Sequence, residues 1–168
     1  RLLAQQILVT FDPNLRPALW ASRQQKIDTT NELARQANIV MPGIGEGEIL
    51  MGSRDPNEIA DFYLQQSDVT QAVIVKLGPD GALIKQRDDH QQVVTGFHVA
   101  SVVDTVGAGD GFAVGLISGL IEGHTLSESV KRGCAIGALA VTSPGDNDGY
   151  PTPSELAQFY AAQAALSE

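Results

Sequence analysis

The most informative segment of the chain is Asp104-Thr-Val-Gly-Ala-Gly-Asp110-Gly-Phe112, which has the pattern of a junction between a strand and a helix. Small residues at such a junction let the backbone approach a ligand, and the amides of the first helical turn point outward at the positive end of the helix dipole. The amides of Gly107, Ala108 and Gly109 therefore predict an anion-binding nest that suits a phosphoryl group. Asp110 allows two interpretations: a base for a hydroxyl attacking that phosphate, or an ordinary acid favoured by the helix N-terminus.

On either side of this segment, short apolar runs alternate with helical patterns. The apolar runs predict strands at residues 6–11, 38–41, 72–77, 82–85, 92–95 and 98–103. Helices are predicted over residues 22–37, 46–52 and 107–122, and directly after residues 55, 125 and 152. This alternation predicts an α/β layered fold with a largely parallel sheet and an antiparallel hairpin at residues 82–95.

Three of the predicted helices begin with capping signals. Asp55 is followed by a proline at the first helical position and by Glu58, and the spacing Thr-x-x-Glu recurs at Thr125 and Thr152. In each case the first residue is expected to accept an amide while the glutamate reaches back to it. The helix over residues 22–37 is polar, and its narrow core-facing stripe is expected to consist of Ile27, Leu33, Ala34 and Ala37.

Composition excludes several classes of function. The 168 residues include 11 Lys and Arg against 20 Asp and Glu, a net charge of −9, which repels phosphate backbones and anionic lipid. We therefore expect no nucleic-acid partner and no membrane partner, and the chain contains no apolar run long enough to span a bilayer. Its single cysteine, Cys134, cannot form an internal disulfide, so we expect a cytoplasmic protein.

Other motifs carry weaker signals. Gly43-Ile-Gly45-Glu-Gly47 begins like a dinucleotide fingerprint, but Glu48 occupies the position of the third glycine. A Walker-type phosphate loop and a Gly-x-Ser-x-Gly elbow are both missing from the sequence. The three histidines, His90, His98 and His124, do not have the spacing of metal ligands. One predicted helix has a glycine at every fourth position, at Gly111, Gly115 and Gly119, which indicates close helix packing.

The segment from Asp104 to Phe112 resembles the C-terminal signature of the ribokinase-like (PfkB) carbohydrate kinases. Three further segments follow that family's order, at residues 11–20, 41–46 and 76–81, so the resemblance extends over essentially the whole chain. It implies a ribokinase-like three-layer αβα sheet and ATP-dependent phosphorylation of a sugar. Within the family, residues 12–16 and 143–152 are similar to those of the 2-keto-3-deoxygluconate kinases, which implies transfer to the 6-hydroxyl of that sugar acid.

The resemblance also implies roles for individual residues. Asp110 would be the base that activates the sugar hydroxyl, and the amides of Gly107, Ala108 and Gly109 would be the anion hole for the transferred phosphoryl group. The nucleotide side would be formed by Asn14 and by the segment that contains Lys76, Leu77, Gly78, Asp80 and Gly81, together with Gly107 and Gly109.

Two further residues would contact the sugar acid. Arg16 would bind its carboxylate, for which a guanidinium fork is the natural partner, and Asp146 would contact a hydroxyl near the phosphorylated end. Each has an alternative structural interpretation. Arg16 could form a surface or structural salt bridge, and Asp146 could be an ordinary acid in a turn.

The cofactors implied by the resemblance are ATP, Mg²⁺ and K⁺. Glu46 would act on magnesium through water, although Gly43 stands where the family's Asn-x-x-Glu motif has its asparagine, so the metal site is expected to be looser or built differently. Asp104 would be a ligand of the monovalent-cation site.

The resemblance covers the C-terminal half of a family member. We therefore expect residues 1–168 to be the C-terminal part of a single kinase domain, with the N-terminal sugar-binding part and lid absent. The start at Arg1 agrees with this expectation, and the full-length protein is expected to be a homo-oligomer. Two alternatives remain open: a fructokinase or another PfkB sugar kinase, and an inactive nucleotide-binding fragment.

Overall fold

The structure is a computed structural model that describes residues 7–165. The chain divides into two compact units. The first unit contains the chain up to Leu77 and then Leu83–Val93, and the second contains Gly78–Ala82 and the chain from Val94 onward.

Five strands and six α-helices occur among the described residues. They are β1 (Thr10–Phe11), α1 (Arg23–Ala34), β2 (Ile39–Val40), α2 (Ile44–Met51), α3 (Pro56–Gln65), β3 (Ala72–Lys76), β4 (Gly81–Gln86), β5 (Gln91–Thr95), α4 (Ala108–Ile121), α5 (Leu126–Ala140) and α6 (Pro153–Ala165). Short 3₁₀ turns occur at Pro17–Leu19 and Gly78–Asp80.

The strands form a mixed sheet in the order β1-β2-β3-β4-β5. β1 and β2 are parallel with Thr10 opposite Ile39, and β2 and β3 are parallel with Ile39 opposite Ala72. Only short connections join β3 to β4 and β4 to β5, and connections of this length can join only antiparallel neighbours. The hairpin predicted at residues 82–95 is therefore present as β4 and β5.

The predicted capping signals begin their helices. The Asp55 carboxylate accepts the amides of Asn57 and Glu58, and Thr125 and Glu128 form a reciprocal box at the start of α5. The box predicted at Asp55 is only half formed, because the Glu58 carboxylate contacts the hydroxyl of Ser53. That same hydroxyl accepts the Asp55 amide at 3.0 Å, so Ser53 takes the place of the glutamate.

Each unit has its own buried cluster. In the first unit, α1, α2 and α3 pack with β2, β3 and β4 through Ala34, Val40, Leu50, Ile59, Tyr63, Val73, Val75 and Leu83. In the second unit, α4 packs closely on α5. A Cβ added at Gly115 would lie 2.6 Å from the Cα of Gly133, and one at Gly119 would lie 2.9 Å from the Cα of Ser129. The glycines spaced four apart therefore serve helix packing, as predicted.

Three predicted elements differ in the structure. The strand predicted at residues 6–11 contains only Thr10–Phe11, and Gln6 lies outside the described residues. The segment 98–103 is not a strand, because the amides of Val103 and Asp104 donate to the carbonyl of Val141 after α5. In α1 the predicted stripe is wrong at Leu33, which is 48% exposed, whereas the turn facing the core carries Thr30 and Asn31.

Within residues 7–165, no helix is long and apolar enough to cross a membrane.

Candidate active site

A glycine caps the N-terminus of α4. Gly107 caps the helix with φ +80°, in the left-handed region, and its carbonyl accepts the first helical bond from the Gly111 amide at 2.8 Å. The amides of residues 108–110 come before the first bond of the helix ladder. That of Ala108 reaches the Thr105 carbonyl at 3.5 Å, a long contact. Amides at a helix N-terminus of this kind suit an anion, and the anion hole that the sequence predicts here stays a prediction.

Only glycine fits at position 107. A Cβ there would lie 1.9 Å from the carbonyl oxygen of Asp146, well inside van der Waals contact. The left-handed φ would add backbone strain for any other residue. The segment around Asp146 is therefore held directly against the cap of α4.

The second unit brings Asp110 and Asp146 to one place. Asp110 lies in the first turn of α4 and is exposed, and Asp146 is exposed in the loop before α6. The hydroxyl of Tyr150 donates to the Gly107 carbonyl at 3.0 Å. Burial raises the pKa of Tyr150, and the carboxylates of Asp110 and Asp146 raise that pKa further, so both acids lie near the phenol. The phenol therefore remains protonated and serves as a hydrogen-bond donor.

Sequence reasoning missed Tyr150 as a site residue. The residue stands within the segment 143–152 that carried part of the resemblance, but no spacing marks its hydroxyl as a partner for a glycine 43 positions earlier. Only the packing of the loop on α4 brings the two groups together.

The other predicted residues of the second unit lie in tight turns. The Asp104 carboxylate accepts the Val106 amide at 3.0 Å and so closes the turn that leads to Gly107. Gly81 has φ +107°, and a Cβ there would lie 2.0 Å from the Val94 carbonyl. The neighbouring Asp80 is exposed, and its carbonyl accepts the Gly96 amide at 3.1 Å. The turn from Gly78 to Gly81 is therefore pinned to the chain after β5.

In the first unit, Lys76 forms an ion pair. Its Nζ lies 2.6 Å from Oδ2 of Asp12, and both side chains are more than four-fifths buried. The Lys76 ammonium, for which the resemblance implies a place along the nucleotide, therefore has a carboxylate partner within its own unit. Leu77, the next predicted nucleotide residue, packs against the hydrophobic cluster of this unit.

Glu46 joins two backbone segments of the first unit. Its Oε1 accepts the Leu15 amide at 3.1 Å, and its Oε2 accepts the Gly43 amide at 2.8 Å. This carboxylate therefore fixes the start of α2 to the segment that carries Asn14 and Arg16. Asn14 is exposed with φ 40°, and Arg16 is exposed directly before the first 3₁₀ turn.

The environment of Asp12 opposes its charge. Burial raises the pKa of Asp12, the nearby Glu46 carboxylate adds to this effect, and the Lys76 ammonium acts against it. Oδ1 of Asp12 is buried without a hydrogen-bond partner in the structure. The carboxylate is therefore held in its charged form chiefly by Lys76.

We expect Lys76→Met to lower the free energy of unfolding by about 2 kcal/mol at pH 7, because it leaves a carboxylate buried without its cation. A carboxyl whose pKa is raised by folding is destabilised by ionisation, so stability falls as pH rises through the folded pKa. The loss of stability caused by Lys76→Met should therefore be smaller at pH 5 than at pH 7. Urea unfolding at the two pH values measures it.

Lys85→Met is the matched control for Lys76. Lys85 pairs with Asp61 at 2.5 Å, but this carboxylate is 42% exposed and can be solvated by water. We expect a cost below about 1 kcal/mol with little pH dependence. If the two variants lost the same free energy of unfolding, burial of the Asp12 carboxylate would not be the reason that it needs Lys76.

The comparisons with known proteins identify the family of the chain. The profile of the pfkB family carbohydrate kinases matches residues 2–153. The chain belongs to the pfkB family. Its similarity to 2-dehydro-3-deoxygluconokinase of Bacillus subtilis (strain 168) is 47% identity over 160 residues, covering 95% of this chain and 48% of that protein.

Solved structures of pfkB kinases share the fold. A PfkB protein from Polaromonas sp. JS666 matches with a TM-score of 0.79 and 43% identity, over 93% of this chain and 48% of that one. A fructokinase double mutant from Vibrio cholerae O395, solved with fructose, ADP and potassium ion, matches with a TM-score of 0.81 and 31% identity, over 90% of this chain and 50% of that one. The fold is therefore the ribokinase-like three-layer α/β type that the sequence predicted.

This pfkB chain spans about half the length of the curated relatives that it matches.

Proposed function

We propose that this chain is the C-terminal part of an ATP-dependent sugar kinase that phosphorylates the 6-hydroxyl of 2-keto-3-deoxygluconate. The observation that carries the proposal is the start of α4, where Gly107 caps the helix and Asp110 stands in its first turn. The identity of 47% with a 2-dehydro-3-deoxygluconokinase supports the choice of sugar acid.

In the proposed reaction, the Asp110 carboxylate accepts the proton of the sugar hydroxyl. The sugar oxygen then forms a bond to the γ-phosphorus of ATP, and the bond from that phosphorus to the β-phosphate oxygen breaks, releasing ADP. The amides of Ala108 and Gly109 stabilise charge on the oxygens of the transferred group, and the Gly107 cap fixes their direction. Asp146 contacts a sugar hydroxyl.

The nucleotide side of the proposal uses the segments that the resemblance implied. They are Asn14, the backbone from Lys76 to Asp80, and Gly81. The turn at Gly78–Gly81 is held by Gly96, so it presents a fixed backbone edge. Because the Lys76 ammonium pairs with Asp12, we assign its contribution to its backbone.

Metal ions complete the proposal. Magnesium, when bound, would neutralise negative charge on the transferring phosphoryl group. Mg²⁺ retains several waters and takes few protein ligands, so one carboxylate suffices. Glu46 fits this role through water, since each of its oxygens can accept more than its one amide. Asp104 is proposed as a potassium ligand, because its carboxylate stands at the turn before the nest.

Arg16 is proposed to bind the carboxylate of the sugar acid. Among the described residues, no carboxylate forms an ion pair with it, which favours the binding role over a structural salt bridge. An exposed guanidinium next to a backbone segment fixed by Glu46 is available for a planar anion.

We expect Arg16→Ala to raise the KM for the sugar acid roughly 10- to 100-fold, the usual value of a charge-assisted hydrogen bond, while the KM for ATP changes less than about twofold. Steady-state kinetics with each substrate varied in turn measure both constants. Arg23→Ala removes another exposed arginine, from the start of α1, and should leave both constants unchanged. Equal losses on both substrates would indicate a structural Arg16.

A fructokinase is the second candidate, because the fructokinase of Vibrio cholerae was solved with fructose and matches 90% of the chain. A neutral sugar offers no carboxylate to Arg16. A non-catalytic nucleotide-binding protein is the third candidate.

The deciding experiment measures ADP release by the natural protein that carries this sequence, with 2-keto-3-deoxygluconate and with fructose, and records its intact mass alongside. Turnover on the sugar acid alone supports the proposal, and turnover on fructose alone replaces it with the second candidate. ATP binding without turnover on either sugar would leave the non-catalytic candidate.

A further inference from the structure

The side chain of Tyr150 contacts both the start of α4 and the apolar cluster of α5 and α6. Its ring lies over the first turn of α4, since a Cβ added at Gly111 would be 3.1 Å from its Cε1 atom. The same ring packs with the cluster formed by α5 and α6 through Ala135, Ile136 and Leu156. The backbone amide of Tyr150 donates to the Asn147 carbonyl at 3.1 Å, which closes the end of the loop that carries Asp146.

The loop contacts the cap of α4 at two points. The main chain of Asp146 lies against the Cα of Gly107, and the Tyr150 hydroxyl donates to the Gly107 carbonyl at 3.0 Å. The first contact depends on shape alone, whereas the second is a directional bond. The Gly107 carbonyl oxygen therefore accepts two hydrogen bonds, one from the Tyr150 hydroxyl and one from the Gly111 amide. The bond from Gly111 is the first bond of the α4 helix.

We propose that Tyr150 is a positioning residue whose hydroxyl locks the cap of α4 and holds Asp146 at a fixed place beside Asp110. The inference rests on the proposed function, because it assigns Tyr150 to the same phosphoryl-transfer site. Tyr150 acts through Gly107 and is not a base itself, since its phenol is the donor of the bond.

Tyr150→Phe tests this inference, because it retains the ring and its packing and removes only the hydroxyl. Hydrogen exchange of the amides of residues 108–111 should accelerate about three- to tenfold, since a neutral hydrogen bond no longer opposes opening of the turn. In the active protein, kcat should fall by about the same factor, while the KM for ATP changes less than about twofold. Residue-resolved NMR exchange and steady-state kinetics provide the two measurements.

Tyr160→Phe is the matched control. Tyr160 packs in the same aromatic cluster, close to Phe97 and Phe159, and removing its hydroxyl should change neither exchange at residues 108–111 nor kcat. A general loosening of the cluster would instead affect both variants equally and would overturn a specific role for the Tyr150 hydroxyl.

The outcomes separate this inference from the proposed function. Unchanged exchange in Tyr150→Phe overturns the lock, whatever the activity of the protein. Faster exchange with unchanged kcat overturns the link between the lock and phosphoryl transfer. Faster exchange in a protein that phosphorylates no sugar supports the lock and overturns the proposed function.

Discussion

Asp110→Asn should reduce kcat for sugar phosphorylation by about 10²- to 10⁴-fold, the usual loss when a general base is removed. The amide has nearly the same shape as the carboxylate but cannot accept the proton of the attacking hydroxyl. Because Asp110 is exposed in the first turn of α4, its replacement should cost less than about 1 kcal/mol of stability through the helix dipole. The loss therefore belongs to the chemical step.

The measurements for Asp110→Asn are ADP release under saturating substrates and ATP binding by calorimetry. We expect the affinity for ATP to be retained or slightly increased, since one negative charge leaves the neighbourhood of the phosphates. Asp148→Asn is the control, because it removes an exposed carboxylate from the loop that also carries Asp146. A turnover of Asp110→Asn within tenfold of the wild type would remove Asp110 from the role of base.

Gly107→Ala should lower the free energy of unfolding by about 4 kcal/mol, the combined effect of a left-handed backbone for a residue with a Cβ and of overpacking. The added Cβ would lie 1.9 Å from the Asp146 carbonyl oxygen, which is main chain and cannot turn aside. The loop that carries Asp146 must therefore move away from α4, or the cap must unwind. In either case the nest loses its geometry, and kinase activity should fall with stability.

Gly123→Ala is the control that separates backbone strain from steric overlap with Asp146. Gly123 follows the other end of α4 with φ +82°, nearly the same as Gly107, but no atom lies within 4 Å of the position of its Cβ. We expect a cost of about 1–2 kcal/mol from the backbone alone. Urea unfolding of both variants measures the difference. Similar costs for the two would show that contact with Asp146 is not what requires glycine at position 107.

Local signals in the sequence predicted much of the fold. The Thr125 and Asp55 caps, the hairpin at residues 82–95 and the helix after Gly107 all depend on contacts between residues close in sequence. Such contacts are readable from spacing. The strand predicted at residues 98–103 failed for the opposite reason. Its apolar pattern was correct for a strand, but the amides at its end bond to Val141, which follows a distant helix.

In the candidate site, too, contacts between neighbouring residues could be predicted and contacts between distant residues could not. The motif from Asp104 to Asp110 predicted the start of α4 correctly, because the residues of a helix start are adjacent in the chain, and the anion nest and the base proposed there stay predictions. Neither the Lys76 partner at Asp12 nor the Leu15 amide bound by Glu46 could be read from the sequence. These partners come from strands and loops that meet only when the sheet forms.

By itself, the sequence determined the family, the alternation of strands and helices and the turn at Gly107, since each follows from neighbouring residues or from an unbroken motif. Only the tertiary structure decided that Tyr150 bonds the Gly107 carbonyl and that the Asp146 main chain fills the space where a Cβ would stand. The physical reason is that a contact across some forty residues depends on how helices pack, and packing is a property of the whole folded unit.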